Sequence, residues 1–204
     1  MKPCDYVQCS GFPCAGVNHA PYAVPAVEMD PERIAVVLIS EAAPVDPADN
    51  YYRRDDALFA RTTLAAFGSA GLQAEGLQGL LDRGIYLTNA IKCGKVGYAV
   101  PTAALNACSL LLEQELALFS EVRAYLLMGE VAIKAVNAIA RRNGEPRPIP
   151  AGSTYKIRGG EFWFRGARAL PSYLQAGPSY GIEKSKVAMI AEDIAAALQI
   201  AHLD

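Results

Sequence analysis

The chain has 204 residues, of which 52% are hydrophobic and 20% are charged. This composition is typical of a folded globular protein and excludes disordered and collagen-like chains. One domain is expected at this length, and a chain of this size buries enough apolar surface to fold without disulfide bonds. The net charge of −2 conceals an excess of Lys and Arg in residues 134–186. Such a segment can bind an anionic partner, although a solvated surface is the more common explanation of charge alone.

Apolar runs are short throughout the sequence. Examples are residues 35–40 and 124–128, which fall far below the roughly 20 residues that a membrane helix needs. The first residues lack the apolar core of a secretory signal. We therefore expect a cytoplasmic protein without membrane contact, and a monomer. In a reducing compartment its five cysteines are expected to be free thiols, metal ligands or catalytic groups.

Strand-like and helix-like segments alternate from residue 34 onward. Residues 1–33 are rich in proline and cysteine and lack periodicity, which predicts an irregular segment packed on a single domain spanning 1–204. Apolar runs predict strands over 34–40, 85–91, 124–128 and from 161 onward. Helical spacing predicts helices over 55–67, 75–83, 101–119, 131–142 and 184–201. The alternation predicts a three-layer α/β/α sandwich around a central, mostly parallel four-stranded sheet.

Polar side chains follow the first two predicted strands, where ligands of such folds bind. Glu41 can orient a water or stabilise a cation, although a helix cap or a salt bridge is an equally common role. Asn89 offers an acceptor and two donors to a base edge, although such an amide more often bonds loop backbone. Tyr51 and Tyr52 can stack on a flat ligand or simply pack.

The cysteines fall into two groups that lie far apart in sequence. Cys4, Cys9 and Cys14 are spaced by five residues, whereas Cys93 and Cys108 come much later. Such groups can meet around an iron–sulfur cluster or zinc. No CxxC pair occurs, so the spacing is also compatible with buried, inert thiols.

Five segments, taken in order over residues 34–198, resemble the uracil-DNA glycosylase superfamily, most closely its iron–sulfur branch, family 4. The strand end Gly-Glu-(Ala/Gly)-Pro-Gly of that family is similar to residues 40–44, Ser-Glu-Ala-Ala-Pro. The family's Thr-Asn-x-x-Lys-Cys is matched in full by residues 88–93. The other three counterparts are Cys108, the Gly-x-x-Ala of residues 129–132, and Leu-Pro-Ser at 170–172 in place of His-Pro-(Ser/Ala).

This resemblance implies a DNA glycosylase of base excision repair, which hydrolyses the N-glycosidic bond of uracil or a related deaminated base in DNA. It implies that Glu41 acts at the sugar, where it positions the attacking water or stabilises the oxocarbenium charge. It also implies that Asn89 hydrogen-bonds the uracil edge. Tyr51 or Tyr52 would stack on the flipped base.

The resemblance further implies a [4Fe-4S] cluster, with zinc as the alternative metal. Cys93 and Cys108 match two of the family's ligands. The family's N-terminal CxxC is absent, so we expect Cys9 and Cys14 to complete the set, with Cys4 as an alternative ligand.

The chain departs from the family at Leu170, which stands where the family has the histidine that stabilises the leaving base. Loss of one such donor typically costs about 100- to 1000-fold in rate. We expect Leu170 to fill the gap left by the flipped base, with Pro171, Ser172 and Arg168 contacting DNA phosphates. Two alternatives stay open. One is a catalytically weak or inactive nucleic-acid-binding or damage-sensing member of the fold, and the other is an α/β protein that acts on free nucleotides.

Overall fold

The computed structural model describes residues 1–97 and 99–203. Its strands are β1 (Val17–Asn18), β2 (Val36–Ala43), β3 (Ile85–Lys95), β4 (Ala124–Met128), β5 (Trp163–Phe164) and β6 (Ala167–Ser172). Its α-helices are α1 (Leu58–Ser69), α2 (Gly76–Leu81), α3 (Thr102–Leu116), α4 (Glu130–Arg142), α5 (Thr154–Ile157) and α6 (Lys184–Ala201). Short 3-10 turns cover Pro3–Asp5, Pro31–Arg33 and Pro47–Asp49.

The six strands form one sheet in the order β1-β3-β2-β4-β6-β5. The four central strands are parallel, which confirms the predicted mostly parallel sheet. The two outer strands pair antiparallel and correct the expected strand number from four to six. Each outer strand has only two residues, too few to leave a periodic pattern in the sequence.

Helices cover both faces of the sheet and confirm the three layers. The apolar side chains of β2 alternate between the faces, and residues 36–39 are fully buried, as is usual for a central parallel strand. On one face Val37 and Ile39 pack with residues of α3 and α4. On the other face Val36 and Leu38 pack with residues of α1 and α6. Within the described residues, no helix is long and apolar enough to span a bilayer.

Strand β3 extends four residues beyond its predicted end, because the N-terminal segment supplies β1 as its partner at Gly94 and Lys95. The register of β2 against β3 places Ser40 opposite Asn89. The pairing shifts between Ala42 and Ala43, which pair with Ile91 and Gly94, so β3 carries extra residues there. Glu41, which follows Ser40, therefore lies in the strand next to Asn89, and both residues are toward the carboxyl edge of the sheet.

Candidate active site

Glu41 lies near the carboxyl end of β2, beside the N-terminus of α4. Its Oε1 accepts a hydrogen bond from the backbone N–H of Val131 at 3.4 Å. Its Oε2 lies 2.7 Å from Nζ of Lys95, at the end of β3. The Glu41 side chain remains 15% exposed. A helix N-terminus and an ammonium group both favour a carboxylate, so the fold fixes an acidic group that solvent still reaches.

Gly129 makes the position of Glu41 possible. It stands at the turn between β4 and α4 with φ of 98°, a conformation that favours glycine. A Cβ at this position would lie 2.6 Å from Oε1 of Glu41, closer than any side chain permits. The first residue of the Gly-x-x-Ala segment must therefore be glycine, because the Glu41 carboxylate lies so close to it.

A cleft of about 310 Å³ adjoins Glu41. Its far wall is formed by residues between β6 and α6, including Tyr173, Leu174 and Ile182. Ile182 is 75% exposed although it is a large apolar residue. The cleft therefore combines a carboxylate on one side with an exposed apolar side chain on its rim.

Asn89 lies in a second, smaller cavity of about 30 Å³, together with Asn50 and residues 23–26. Its side chain is buried, and Nδ2 donates to Oδ1 of Asn50 at 3.0 Å. Among the described residues no group hydrogen-bonds Oδ1 of Asn89. A buried acceptor without a partner costs free energy, typically about 1–3 kcal/mol. Such an atom beside a cavity suggests that a ligand donates to it.

Tyr51 and Tyr52 also line this cavity, so the structure brings both predicted stacking residues beside Asn89. The Tyr51 hydroxyl lies 2.7 Å from Oγ of Ser40, and burial raises the pKa of Tyr51 to about 12. The Tyr52 hydroxyl accepts a hydrogen bond from the Leu87 backbone at 3.0 Å, and burial raises its pKa as well. Both rings are thus fixed by their hydroxyl groups and form rigid walls.

The comparison with known proteins agrees with this geometry. A family model described as the Uracil DNA glycosylase superfamily matches residues 29–194. The chain belongs to this superfamily. A Type-5 uracil-DNA glycosylase from Thermus thermophilus is 34% identical over 77 residues, which cover 38% of this chain and 35% of that protein. The chain thus matches about a third of that relative's length, and its branch within the superfamily stays a prediction.

The segment expected to carry the apolar wedge, residues 170–172, lies inside the sheet. Leu170 pairs in register with Leu126 and is only 6% exposed, so its assignment as a wedge is wrong. Pro171 is buried in the same strand. The Ser172 hydroxyl is buried and donates to Oδ2 of Asp193 at 2.6 Å, so it does not face a phosphate. The error arose because β6 continues to Ser172, and the loop at the carboxyl edge begins at Tyr173.

Arg168 lies near the opposite end of the sheet and is also misassigned. It pairs in register with Ala124, the first residue of β4. Its guanidinium lies over the ring of Trp163 at 5.3 Å and 3.9 Å from Glu161. Ser172 lies four residues further along the strand, and about 3.3 Å per residue makes this distance roughly 13 Å. Nearness in sequence to a strand end did not place this side chain near the site.

Four of the five thiols converge where the N-terminal segment meets β3 and α3. Cys93 and Cys108 are buried, and Cys14 packs against the same apolar cluster. Burial, and then the proximity of Cys108, Cys9 and Cys14, raise the pKa of the Cys93 thiol to about 12. The predicted set therefore meets in space although its members lie far apart in sequence.

Cys4 stands apart from this group, since its Sγ lies 3.7 Å from Oδ1 of Asp5 on the surface. A further potential ligand, His19, lies beside the group with Nδ1 3.3 Å from Sγ of Cys93. Across residues 1–97 and 99–203, no three His, Cys, Asp or Glu side chains are arranged as a metal site. The thiols are thus of the right kind for iron or zinc, but they are not in a ligating arrangement.

The sequence analysis did not single out Lys92, whose side chain is fully buried beneath Asn89. Its Nζ donates to the Asn89 carbonyl and to Oγ1 of Thr88, each at 2.8 Å. It also forms an ion pair with Glu115 of α3, and both side chains are completely inaccessible. Oε1 of Glu115 accepts from the Tyr86 hydroxyl at 2.6 Å and from Thr88 at 2.9 Å. A charged residue inside an apolar strand was the available signal for this network.

Proposed function

We propose that the protein is a DNA glycosylase that hydrolyses the N-glycosidic bond of uracil or a related deaminated base in DNA. The observation that carries this proposal is the unpartnered buried acceptor of Asn89 beside a cavity, one strand away from the carboxylate of Glu41. Membership of the superfamily supports a DNA glycosylase in general terms. The choice of base comes from the chemistry of Asn89.

Asn89 would recognise the base after it has left the helical stack. A base inside a duplex is inaccessible to a hydrolase, so the enzyme flips it into a pocket at a cost of a few kcal/mol. Uracil presents an N–H between two carbonyl groups. The Oδ1 of Asn89 would accept from that N–H, and the second hydrogen on Nδ2 would donate to a carbonyl. The present cavity of about 30 Å³ is smaller than a pyrimidine, so the wall formed by residues 23–26 must move when the base enters.

Glu41 would act at the sugar. Cleavage of the glycosidic bond leaves positive charge on the sugar ring, and a carboxylate fixed in advance stabilises that charge in the transition state. The same carboxylate can orient the water that attacks C1′. The contacts with Lys95 and with the N–H of Val131 hold Glu41 in one orientation for either task.

Ile182 is our candidate for the apolar wedge, in place of Leu170. It is 75% exposed on the rim of the cleft that Glu41 lines. Apolar side chains that insert between base steps lower the cost of distorting the duplex.

We also propose that the four converging thiols, Cys9, Cys14, Cys93 and Cys108, hold a [4Fe-4S] cluster, with zinc as the alternative. Convergence of these four thiols supports the proposal, whereas the Cys4 thiol contacts Asp5 and is not among the thiols near Cys93. Ligation requires thiolates and a contraction of the group. When bound, the metal would supply a structural link between the N-terminal segment and the sheet. The proposal includes a single domain that acts as a cytoplasmic monomer.

The decisive experiment is single-turnover excision from an oligonucleotide with one uracil, in single-stranded and double-stranded form. We compare the wild-type protein with Glu41→Gln and with Glu130→Gln, which removes an exposed carboxylate from the same cleft. Uracil release by the wild type and Glu130→Gln, and not by Glu41→Gln, is the expected result. Absence of release at high enzyme excess would contradict uracil excision. Tight DNA binding without release would then favour a damage-sensing role, and binding of free nucleotides alone would favour the non-DNA alternative.

A further inference from the structure

Asn50 is a buried residue that contacts Asn89 across 39 positions of sequence. It follows the turn Pro47–Asp49 and is only 2% exposed. Its Oδ1 accepts two hydrogen bonds, from the Tyr51 backbone N–H at 2.9 Å and from Nδ2 of Asn89 at 3.0 Å. The loop backbone therefore fixes the orientation of the Asn50 amide.

This arrangement also fixes the amide of Asn89. An asparagine amide has a donor end and an acceptor end of almost the same shape, so rotation by half a turn exchanges them. With Oδ1 of Asn50 fixed as an acceptor, rotation of Asn89 would bring two oxygen atoms to about 3 Å from each other. Two acceptors at that distance repel each other. Asn89 must therefore keep Nδ2 toward Asn50 and leave Oδ1 as the atom without a partner.

We propose that Asn50 is a positioning residue that sets the hydrogen-bond polarity of the base site. This inference rests on the proposed function and extends it to the substrate class. Because Oδ1 of Asn89 can only accept, the site selects bases that present an N–H on the pairing edge. Uracil and hypoxanthine have this N–H, whereas cytosine and adenine present a lone pair at the equivalent atom. Thymine and guanine also have it, so the Asn50–Asn89 pair does not exclude these two bases.

The size of this selection follows from the unpaired acceptor. A site built to hydrogen-bond its substrate discriminates strongly against an analogue that lacks the partner, because a buried polar group is then left unpaired. For a single neutral contact we expect a preference of about 10- to 100-fold. Without Asn50 the Asn89 amide would sample both orientations, and most of that preference would disappear.

The test uses equilibrium binding, so that it does not depend on catalysis. The probes are single-stranded oligonucleotides with one 2′-fluoroarabino-uridine or one 2′-fluoroarabino-cytidine, whose glycosidic bonds resist hydrolysis. The variants are Asn50→Asp, which keeps an acceptor oxygen at the same place, and Asn50→Leu, which has similar size and no acceptor. Thermal unfolding and binding of an unmodified oligonucleotide check the fold, and Asn50→Ala replaces Asn50→Leu if the latter does not fold.

We expect the wild type and Asn50→Asp to bind the uridine probe at least about tenfold more tightly than the cytidine probe. For Asn50→Leu we expect the two affinities to agree within about threefold, through weaker uridine binding. An unchanged preference in Asn50→Leu, or equal binding of both probes by the wild type, would overturn the inference. Uracil excision by a wild type without this preference would support the glycosylase and reject the role of Asn50. Tighter binding of the uridine probe without uracil excision would support the role of Asn50 and reject the glycosylase.

Discussion

The buried ion pair between Lys92 and Glu115 gives a quantitative prediction. Both side chains are fully inaccessible, and three hydrogen-bond donors converge on the Glu115 carboxylate. Substitution Glu115→Gln removes the negative charge and leaves the Lys92 ammonium buried without a counterion. Breaking a buried pair in this way typically costs 3–5 kcal/mol, a large part of a total stability of about 5–15 kcal/mol.

Urea unfolding measures this cost directly. With a slope of about 2 kcal/mol per molar urea, the loss lowers the midpoint by roughly 1.5–2.5 M. Glu113→Gln is the matched control, since Glu113 lies on the same helix and its ion pairs with Arg142 and Arg165 remain partly solvated. We expect that control to cost about 1 kcal/mol or less. The double substitution Lys92→Met/Glu115→Leu removes both charges and should recover most of the loss.

The reasoning would be refuted if Glu115→Gln were no less stable than Glu113→Gln. It would also be refuted if the double variant lost as much stability as Lys92→Met and Glu115→Leu lose separately, taken together, because the buried charge would then not be the cause. The pair also supports the site, since Lys92 donates to the Asn89 carbonyl. Glu115→Gln should therefore weaken uracil excision even in the absence of urea, where the variant is folded.

Three further predictions concern the site itself. Gly129→Ala should abolish excision and lower stability by about 1–3 kcal/mol, because the new Cβ displaces the Glu41 carboxylate and residue 129 has a φ of 98°; chemical unfolding and single-turnover excision measure the two effects. Ile182→Ala should change stability by less than about 0.5 kcal/mol, since the side chain is exposed, yet slow excision from duplex about tenfold more than from single strands; equal slowing on both substrates would argue against a wedge. Cys93→Ser should lose the iron or zinc found by elemental analysis of anaerobically purified protein, whereas Cys4→Ser should keep it; retention of metal by Cys93→Ser would reject this ligand set.

The sequence predicted the central sheet well, because its parallel strands are continuous apolar runs between loops. It failed at β6, where the resemblance to the family placed the strand end and its loop at residues 170–172. The outer neighbour of β6 pairs with it only at Ala167 and Arg168. The N–H of Ala169 donates to the Phe162 carbonyl at 2.9 Å. Pro171 lies two residues further on, past the end of β5, so a proline is tolerated there. The loop at the carboxyl edge was consequently placed three residues too early, together with its wedge and phosphate contacts.

The candidate site was predictable where its residues end strands, as for Glu41 and Asn89. Long-range partners left no trace in the local sequence. Asn50 contacts Asn89 from a loop 39 residues away, and Lys95 reaches Glu41 across 54 residues. Such contacts depend on the register of β2 against β3, which hydrophobic patterns do not specify to a single residue. The convergence of the cysteines followed from the family resemblance, because their spacing alone also fits inert thiols.

The N-terminal segment, residues 1–33, connects the Asn89 cavity with the group of four thiols. Residues 23–26 form one wall of the Asn89 cavity, and Ala23 is tied to the Lys92 carbonyl by a hydrogen bond of 2.9 Å. The same segment carries Cys9 and Cys14 toward Cys93. Under the proposed function, a base that enters would push this wall outward, whereas ligation of the thiols would pull the segment toward the sheet. Both events would move the same segment, and any coupling between them would change the two affinities by the same factor.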